Sequence, residues 1–218
     1  HIGLGKRESI PDVARVLSSM VDCIAFRAKK QTTVEEFAKY STVPVINALT
    51  DKSHPCQALA DMLTIKEEFG SFDAAKIAWI GDSNNVVASL IEAAAMLGAR
   101  IVVSSPKGYQ FSEVELEELI KRRQPGFEIE FIDDPLVAVK GARVVCTDVW
   151  VSMGQEKEEA ERREAFAAYQ VNAELMSRAK SDAIFMHCLP ARRGLEVTDE
   201  VMDSAQSRIV REASNRLH

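Results

Sequence analysis

Residues Lys76 to Gly98 read KIAWIGDSNNVVASLIEAAAMLG. The run KIAWI is apolar after its first residue and does not alternate, which suits a strand buried on both faces of a parallel sheet. The polar turn Gly81-Asp-Ser-Asn-Asn85 follows. Val86, Leu90, Ile91, Ala94 and Leu97 then recur at helical spacing, and Gly98 stops the helix. Strand, turn and amphipathic helix make one βα unit, and the chain repeats it. Downstream, strands are expected at 100–104, 127–132, 143–147 and 183–188. Helices are expected at 113–123, 135–140, 156–169 and 172–180, with 156–169 so polar that it reads as solvent-facing. Upstream, a helix from Ile10 carries Val13, Val16, Leu17 and Met20 on one face. A strand at 22–27, a helix at 34–40 and a strand at 43–49 follow. Pro55 then opens a helix to about Phe69, with Ala58, Leu59, Met62 and Leu63 as its inward stripe. This alternation predicts an α/β fold of two parallel domains joined by a helix. The expected division is a first domain over 1–53, a linking helix over 54–69, a second domain over 70–208, and the start of a returning helix over 209–218.

Composition sets the outer limits. With 218 residues, 46% hydrophobic and 28% charged, the chain can bury a real core, which excludes disordered, collagen-like and coiled-coil classes. The net charge of −6 argues against a nucleic-acid partner held by phosphate neutralisation, but leaves room for a local anion pocket. No apolar run reaches the roughly 20 residues that span a bilayer, so no membrane partner is expected. Cys23, Cys56, Cys146 and Cys188 are scattered and form no CxxC pair. They read as reduced thiols, which predicts a cytoplasmic location and leaves a mitochondrial matrix open. The start at His1, without Met or a signal pattern, suggests a processed or trimmed chain.

Ligands in open parallel sheets bind beyond the carboxyl ends of the strands, so those ends are where chemistry is sought. Arg27 closes the first strand, and its planar fork suits phosphate or carboxylate. His54-Pro-Cys-Gln57 opens a helix whose free N–H groups attract anions. A helix cap and an anion ligand are equally consistent with His54. Asp82, Asn84 and Asn85 follow the KIAWIG strand. Asp148 follows RVVCT, with Trp150, Ser152 and Met153 just after. Cys188 closes AIFMHC. A carboxylate and a hydroxyl near Asp148 could hold an ammonium group, although a plain capped turn fits as well. His54, Cys56, His187 and Cys188 could be imagined around zinc, but their spacing matches no standard site. No metal and no cofactor is expected.

Together, His54-Pro-Cys-Gln57, Gly81-Asp-Ser-Asn-Asn85, Asp148-Val-Trp-Val-Ser-Met-Gly154, His187-Cys-Leu-Pro190 and Glu212-Ala-Ser-Asn-Arg216 resemble, in that order, the aspartate/ornithine carbamoyltransferase family. The Ser-Met-Gly loop and the Cys of His-Cys-Leu-Pro resemble its ornithine branch. The resemblance implies one domain for carbamoyl phosphate and one for L-ornithine. It implies that Arg27, His54, Gln57 and Arg216 hold carbamoyl phosphate, with Cys188 and Leu189 bordering both ligands. It places Asn85, Asp148, Ser152 and Met153 on ornithine, and His1 on the carbamoyl phosphate of a neighbouring subunit in a homotrimer. Ser214 stands where the family more often has Glu. The family's Ser-Thr-Arg-Thr phosphate loop has no counterpart among these residues, so the first domain is expected to be incomplete and turnover poor.

The implied reaction joins the δ-amine of ornithine to the carbonyl carbon of carbamoyl phosphate, giving citrulline and phosphate. An alkyl amine with a pKa of about 10 must lose a proton before it can attack. The resemblance gives that step to Asp148 with Cys188, and places Arg27 and His54 near the carbonyl oxygen. An aspartate of ordinary pKa is a weak base for this work. Two other readings compete. The turn Gly81 to Asn85 could belong to a nicotinamide-dependent dehydrogenase, although it lacks G-x-G-x-x-G. The chain could also be a binding fragment without activity.

Overall fold

Strands and helices alternate along the chain as its periodicity predicts. The computed structural model describes residues 5–73, 75–152 and 155–218. They fall into two compact units, residues 1–56 and 57–218.

In the first unit, α1 (Ile10–Ser18) and α2 (Gln31–Tyr40) accompany a parallel pair, β1 (Ile24–Arg27) and β2 (Val45–Leu49). Ser9 caps α1 by accepting the Asp12 N–H, and Pro11 sits in its first turn. Val13, Ala14 and Phe37 form a small core with Ile24, Phe26 and Val45 packed against it. Val16, Leu17 and Met20 are exposed, against expectation. The helix is turned so that Ala14 and Ser18 lie innermost, and the Ser18 hydroxyl bonds the Ala14 carbonyl at 2.6 Å.

Helix α3 (Pro55–Phe69) runs across the division, and Pro55 opens it as expected. Its inward face is not the expected one. Ala58 and Met62 are buried, but Leu59 is 66% exposed and Leu63 only half-buried. Gln57, Asp61 and Thr64 are buried instead. Their i, i+4, i+7 spacing places them on one face. A polar stripe carries no hydrophobic signal, so periodicity misassigned it.

In the second unit, β3 (Lys76–Ile80), β4 (Arg100–Ser104), β5 (Glu128–Phe131), β6 (Val144–Thr147) and β7 (Ile184–His187) form a parallel sheet in the order β5-β4-β3-β6-β7. The helices are α4 (Asn85–Leu97), α5 (Glu113–Leu119), α6 (Pro135–Ala138), α7 (Glu159–Phe166), α8 (Ala173–Arg178), α9 (Asp199–Met202) and α10 (Ile209–Asn215). Ile77, Trp79, Ile101, Val103, Val144 and Ile184 share one core with Leu90, Ile91 and Ala94 of α4 and Met62 and Ile65 of α3. Ala78, Ile80, Val102, Val145 and Phe185 share the other with Phe166, Tyr169, Leu175 and Val201. Both faces of the sheet are covered except at the edge strand β5, which is why β3, β4, β6 and β7 read as apolar runs. Two expectations fail at the edges. Leu97, at the end of α4, is 42% exposed. The polar helix is not wholly solvent-facing, because Arg162, Phe166 and Tyr169 turn inward and are buried.

The chain lays down β3, β4 and β5 toward one edge, then returns to place β6 on the other side of β3. The gap between β3 and β6 is the topological switch point, where such sheets bind ligands.

Gly98 ends α4 at φ +69°, and a Cβ there would lie 2.8 Å from the Pro125 carbonyl oxygen. The Gly98→Ala variant should lose more than about 1 kcal/mol of stability, from left-handed strain plus that clash. Urea unfolding checks this, and an unchanged midpoint would contradict it.

Candidate active site at the switch point

Gly81 turns the chain after β3 at φ +140°, and its missing Cβ would lie 3.3 Å from Thr147 Oγ1 at the end of β6. The close approach brings the two strand ends together. Asn84 caps α4, its Oδ1 accepting the N–H groups of Val86 at 2.9 Å and Val87 at 3.2 Å. Its Nδ2 reaches across the switch point and donates to Asp148 Oδ2 at 2.8 Å. Asp148 is buried, and its Oδ1 accepts the Val149 N–H at 2.8 Å and the Cys188 thiol at 3.1 Å. The ends of β3, β6 and β7 therefore meet on one carboxylate. Burial first, and the negative Asp148 next, push the Cys188 thiol well above its ordinary pKa. Cys188 stays an S–H donor.

The residues around Cys188 are held just as closely. Leu189 N–H donates to His187 Nδ1 at 2.9 Å, so Nε2 carries the ring hydrogen and donates to Glu196 Oε1 at 3.2 Å. Glu196 is fully buried. Leu189 has φ +57°, the one positive φ outside glycine among the described residues, and the Leu189–Pro190 bond is cis. A leucine in the left-handed region costs about 1–2 kcal/mol, and such strain persists where the surroundings over-determine it.

A second clamp spans the same two loops. Arg162 Nη1 donates to Asp82 Oδ2 at 3.0 Å and to the Trp150 carbonyl at 2.9 Å, while Nε reaches Glu158 at 3.0 Å. Its guanidinium lies 4.8 Å from the centre of the Tyr109 ring. Burial raises the Asp82 carboxyl, and Arg162 opposes that rise.

Beside β7, α3 and α10 share a polar contact. Gln57 Nε2 donates to Asp61 Oδ1 at 2.8 Å and Glu212 Oε1 at 2.7 Å. Gln57 Oε1 accepts from Arg216 Nη1 at 2.7 Å. Glu212 Oε2 accepts the His187 N–H at 2.8 Å.

The expected residues are thus placed as follows. Asp148 joins Cys188, and Gln57 joins Arg216. Asn85 opens α4, and half-buried Ser152 gives its N–H to Gln155 Oε1 at 2.9 Å. Arg27 and His54 belong to the first unit, Arg27 exposed at the end of β1 and His54 immediately before α3. There a network of Gln31, Asn47, Thr50 and Ser53 ties down the segment leading to His54. His1 and Met153 lie outside the described residues. Cys56 donates to the Asn47 carbonyl at 3.4 Å, whereas His187, Asp148 and Cys188 each bring one ligand-type atom to within 4.8 Å of the others. Sequence reasoning missed Asp61, Arg162, Glu196 and Glu212. Their signal was a charged residue at an inward helical or loop position, which periodicity treats as noise.

Residues 1–67 match the family described as aspartate/ornithine carbamoyltransferase, carbamoyl-P binding domain, and residues 73–218 match its Asp/Orn binding domain. The chain belongs to the aspartate/ornithine carbamoyltransferase family. An ornithine carbamoyltransferase of Caldicellulosiruptor saccharolyticus is 53% identical over 217 residues, 99% of this chain and 70% of that protein. The ornithine carbamoyltransferase structure from Pyrococcus furiosus superposes with a TM-score of 0.91 at 50% identity, covering 98% of this chain and 69% of the other. The anabolic enzyme of Campylobacter jejuni gives 0.92 at 43% identity, covering 98% and 71%. This carbamoyltransferase membership displaces the dehydrogenase reading, and Asn84 is already committed to its cap and to Asp148.

Removing Arg162 should leave Asp82 buried without its partner. Arg162→Met should cost about 3–5 kcal/mol of stability near neutral pH. The loss of Arg162 raises the Asp82 carboxyl further, so the folded variant holds a proton that its unfolded chain releases. Its deficit should therefore grow as pH rises from 4 to 8. Thermal unfolding across that range checks this, and a pH-independent deficit would contradict it.

Proposed function

We propose that the chain transfers the carbamoyl group of carbamoyl phosphate to the δ-amine of L-ornithine, giving L-citrulline and phosphate, as in arginine biosynthesis. The observation that carries this reading is the match of both halves of the chain, in order, to the two substrate-binding domains of the family. The chemistry of the strand ends supports it. The δ-amine nitrogen forms a bond to the carbonyl carbon, the carbon–oxygen bond to phosphate breaks, and the nitrogen sheds a proton.

In this reading Asp148, Asn85, Ser152 and Met153 hold ornithine. Cys188 is a thiol, so it cannot act as the base at neutral pH. It donates to Asp148 and aims the carboxylate, which takes the proton. Arg27, His54, Gln57 and Arg216 take carbamoyl phosphate, bordered by Cys188 and Leu189. Both N–H bonds of Gln57 are already given to Asp61 and Glu212, so toward a ligand Gln57 is an acceptor. The donors that carbamoyl phosphate offers are its amide N–H bonds, and Gln57 suits them. Arg27 and His54 stabilise the charge that grows on the carbonyl oxygen. Assembly as a homotrimer, with His1 reaching a neighbour's ligand, follows from the family resemblance. Four free cysteines accord with a reducing, cytoplasmic setting.

The test is citrulline formation from carbamoyl phosphate with ornithine, and with aspartate as the competing acceptor. Slow turnover with ornithine is expected, and turnover with aspartate alone would overturn the reading. Arg27→Ala should lower kcat/KM by about 10²–10³-fold, the usual effect of removing one donor to a developing oxyanion. A near-normal kcat/KM would remove Arg27 from that role.

A further inference from the structure

Asp61 and Glu212 have no part in the reading above beyond their contact with Gln57. Both are buried, at 3% and 2% exposure. They come from different helices, α3 and α10, and both accept from a single nitrogen, Gln57 Nε2, at 2.8 and 2.7 Å. Two ionised carboxylates gathered on one nitrogen away from water repel each other, and one proton held by the pair relieves that repulsion. These bonds are all of the accepting kind. Asp61 Oδ1 and Glu212 Oε1 take the two hydrogens of Gln57 Nε2, and Glu212 Oε2 takes the His187 N–H.

We propose that Asp61 and Glu212 are positioning residues that share one proton, and that this singly charged pair fixes both the amide of Gln57 and the end of β7. A glutamine amide can present either its oxygen or its nitrogen to a site. Here the pair captures both N–H bonds, so the oxygen must face Arg216 and the ligand. The same pair anchors the backbone N–H of His187, one residue before Cys188. It thus couples the expected carbamoyl phosphate residues to the expected ornithine residues through two helices and one strand. This inference rests on the proposed function for its substrate, but not for its proton.

The surroundings agree with a retained proton. From α3 the pair faces Gln57, and from α10 the exposed Arg216. From β6 and the loop after it come Cys146 and Asp148, and from β7 come His187 and Cys188. Among the described residues, one cation, Arg216, therefore meets several acids. Burial, opposed in part by hydrogen bonds, pushes Asp61 up to about 6. Burial and then the neighbouring Asp61 push Glu212 well above the carboxylate range. The titration belongs to the pair and not to either residue.

The test has two arms. Infrared difference spectra of the full chain at neutral pH should contain the C=O stretch of a protonated carboxyl, lost in both Asp61→Asn and Glu212→Gln. An absent band, or a band that survives both changes, would overturn the proposal. The second arm is the KM for carbamoyl phosphate against pH. In the wild type it should rise as the shared proton leaves. Asp61→Asn replaces that proton with a permanent amide N–H toward Glu212, and should flatten the rise. Asp61→Ala frees the Gln57 amide and should raise KM about tenfold at every pH, with kcat less affected. A profile in Asp61→Asn that overlays the wild type would defeat the proposal even if Asp61→Ala fails to fold. A wild type that makes no citrulline counts against the proposed function alone, since the infrared arm still reads the proton.

Discussion

Much of the second unit's organisation converges on the carboxylate of Asp148. A parallel sheet whose strand order reverses must open a crevice between the two strands at the reversal. Here those strands are β3 and β6, and Asp148 stands at the crevice with Asn84 on one oxygen and Cys188 on the other. The arrangement joins three strand ends without committing a cation to them. The carboxylate accepts three hydrogens from neutral donors, the Asn84 amide, the Val149 N–H and the Cys188 thiol. Gly81, which brings the β3 turn against Thr147, and Leu189, which accepts a left-handed backbone, are local costs of holding this geometry.

The second unit handles three more of its buried acids in two further ways, while buried Glu196 accepts from His187 and the Arg192 N–H. Asp82 is matched by a cation, Arg162, which also bonds the Trp150 carbonyl and lies against aromatic rings. Asp61 and Glu212 retain a proton between them. Both solutions avoid leaving an uncompensated charge away from water, which would cost several kcal/mol. Both also fix a loop or side chain that faces the site. Asp61, Asp82 and Glu212 are therefore used as rigid acceptors and not as free charges beside the site.

The strands and most helices were legible because burial on both faces of a parallel sheet leaves unbroken apolar runs. The Asn85 start and Gly98 stop of α4 followed from cap chemistry, and the structure has both. The site was legible as positions at strand ends, which is how Asp148 and Cys188 were found. What resisted reading was polar and inward. Leu59 and Leu63 drew the stripe of α3 to the wrong face, because Gln57, Asp61 and Thr64 are buried to meet α10 and not to fill a hydrophobic core. The same blindness hid Arg162 within a helix that looked like solvent-facing charge. A buried ion pair or shared proton has no periodic signature, since its partner lies far away in sequence. Arg162 and Asp82 are 80 residues apart, and Gln57 and Glu212 are 155.

The account stands or falls on Asp148 acting as one shared acceptor for Asn84 and Cys188. A double-mutant cycle with Asn84→Ala and Cys188→Ala, read as kcat/KM for ornithine, measures this directly. If both act through the same carboxylate, the double variant should lose clearly less than the product of the two single losses, because the first substitution already disorders Asp148. Fully multiplicative losses would mean that the two donors act independently, and that the three strand ends do not form one site.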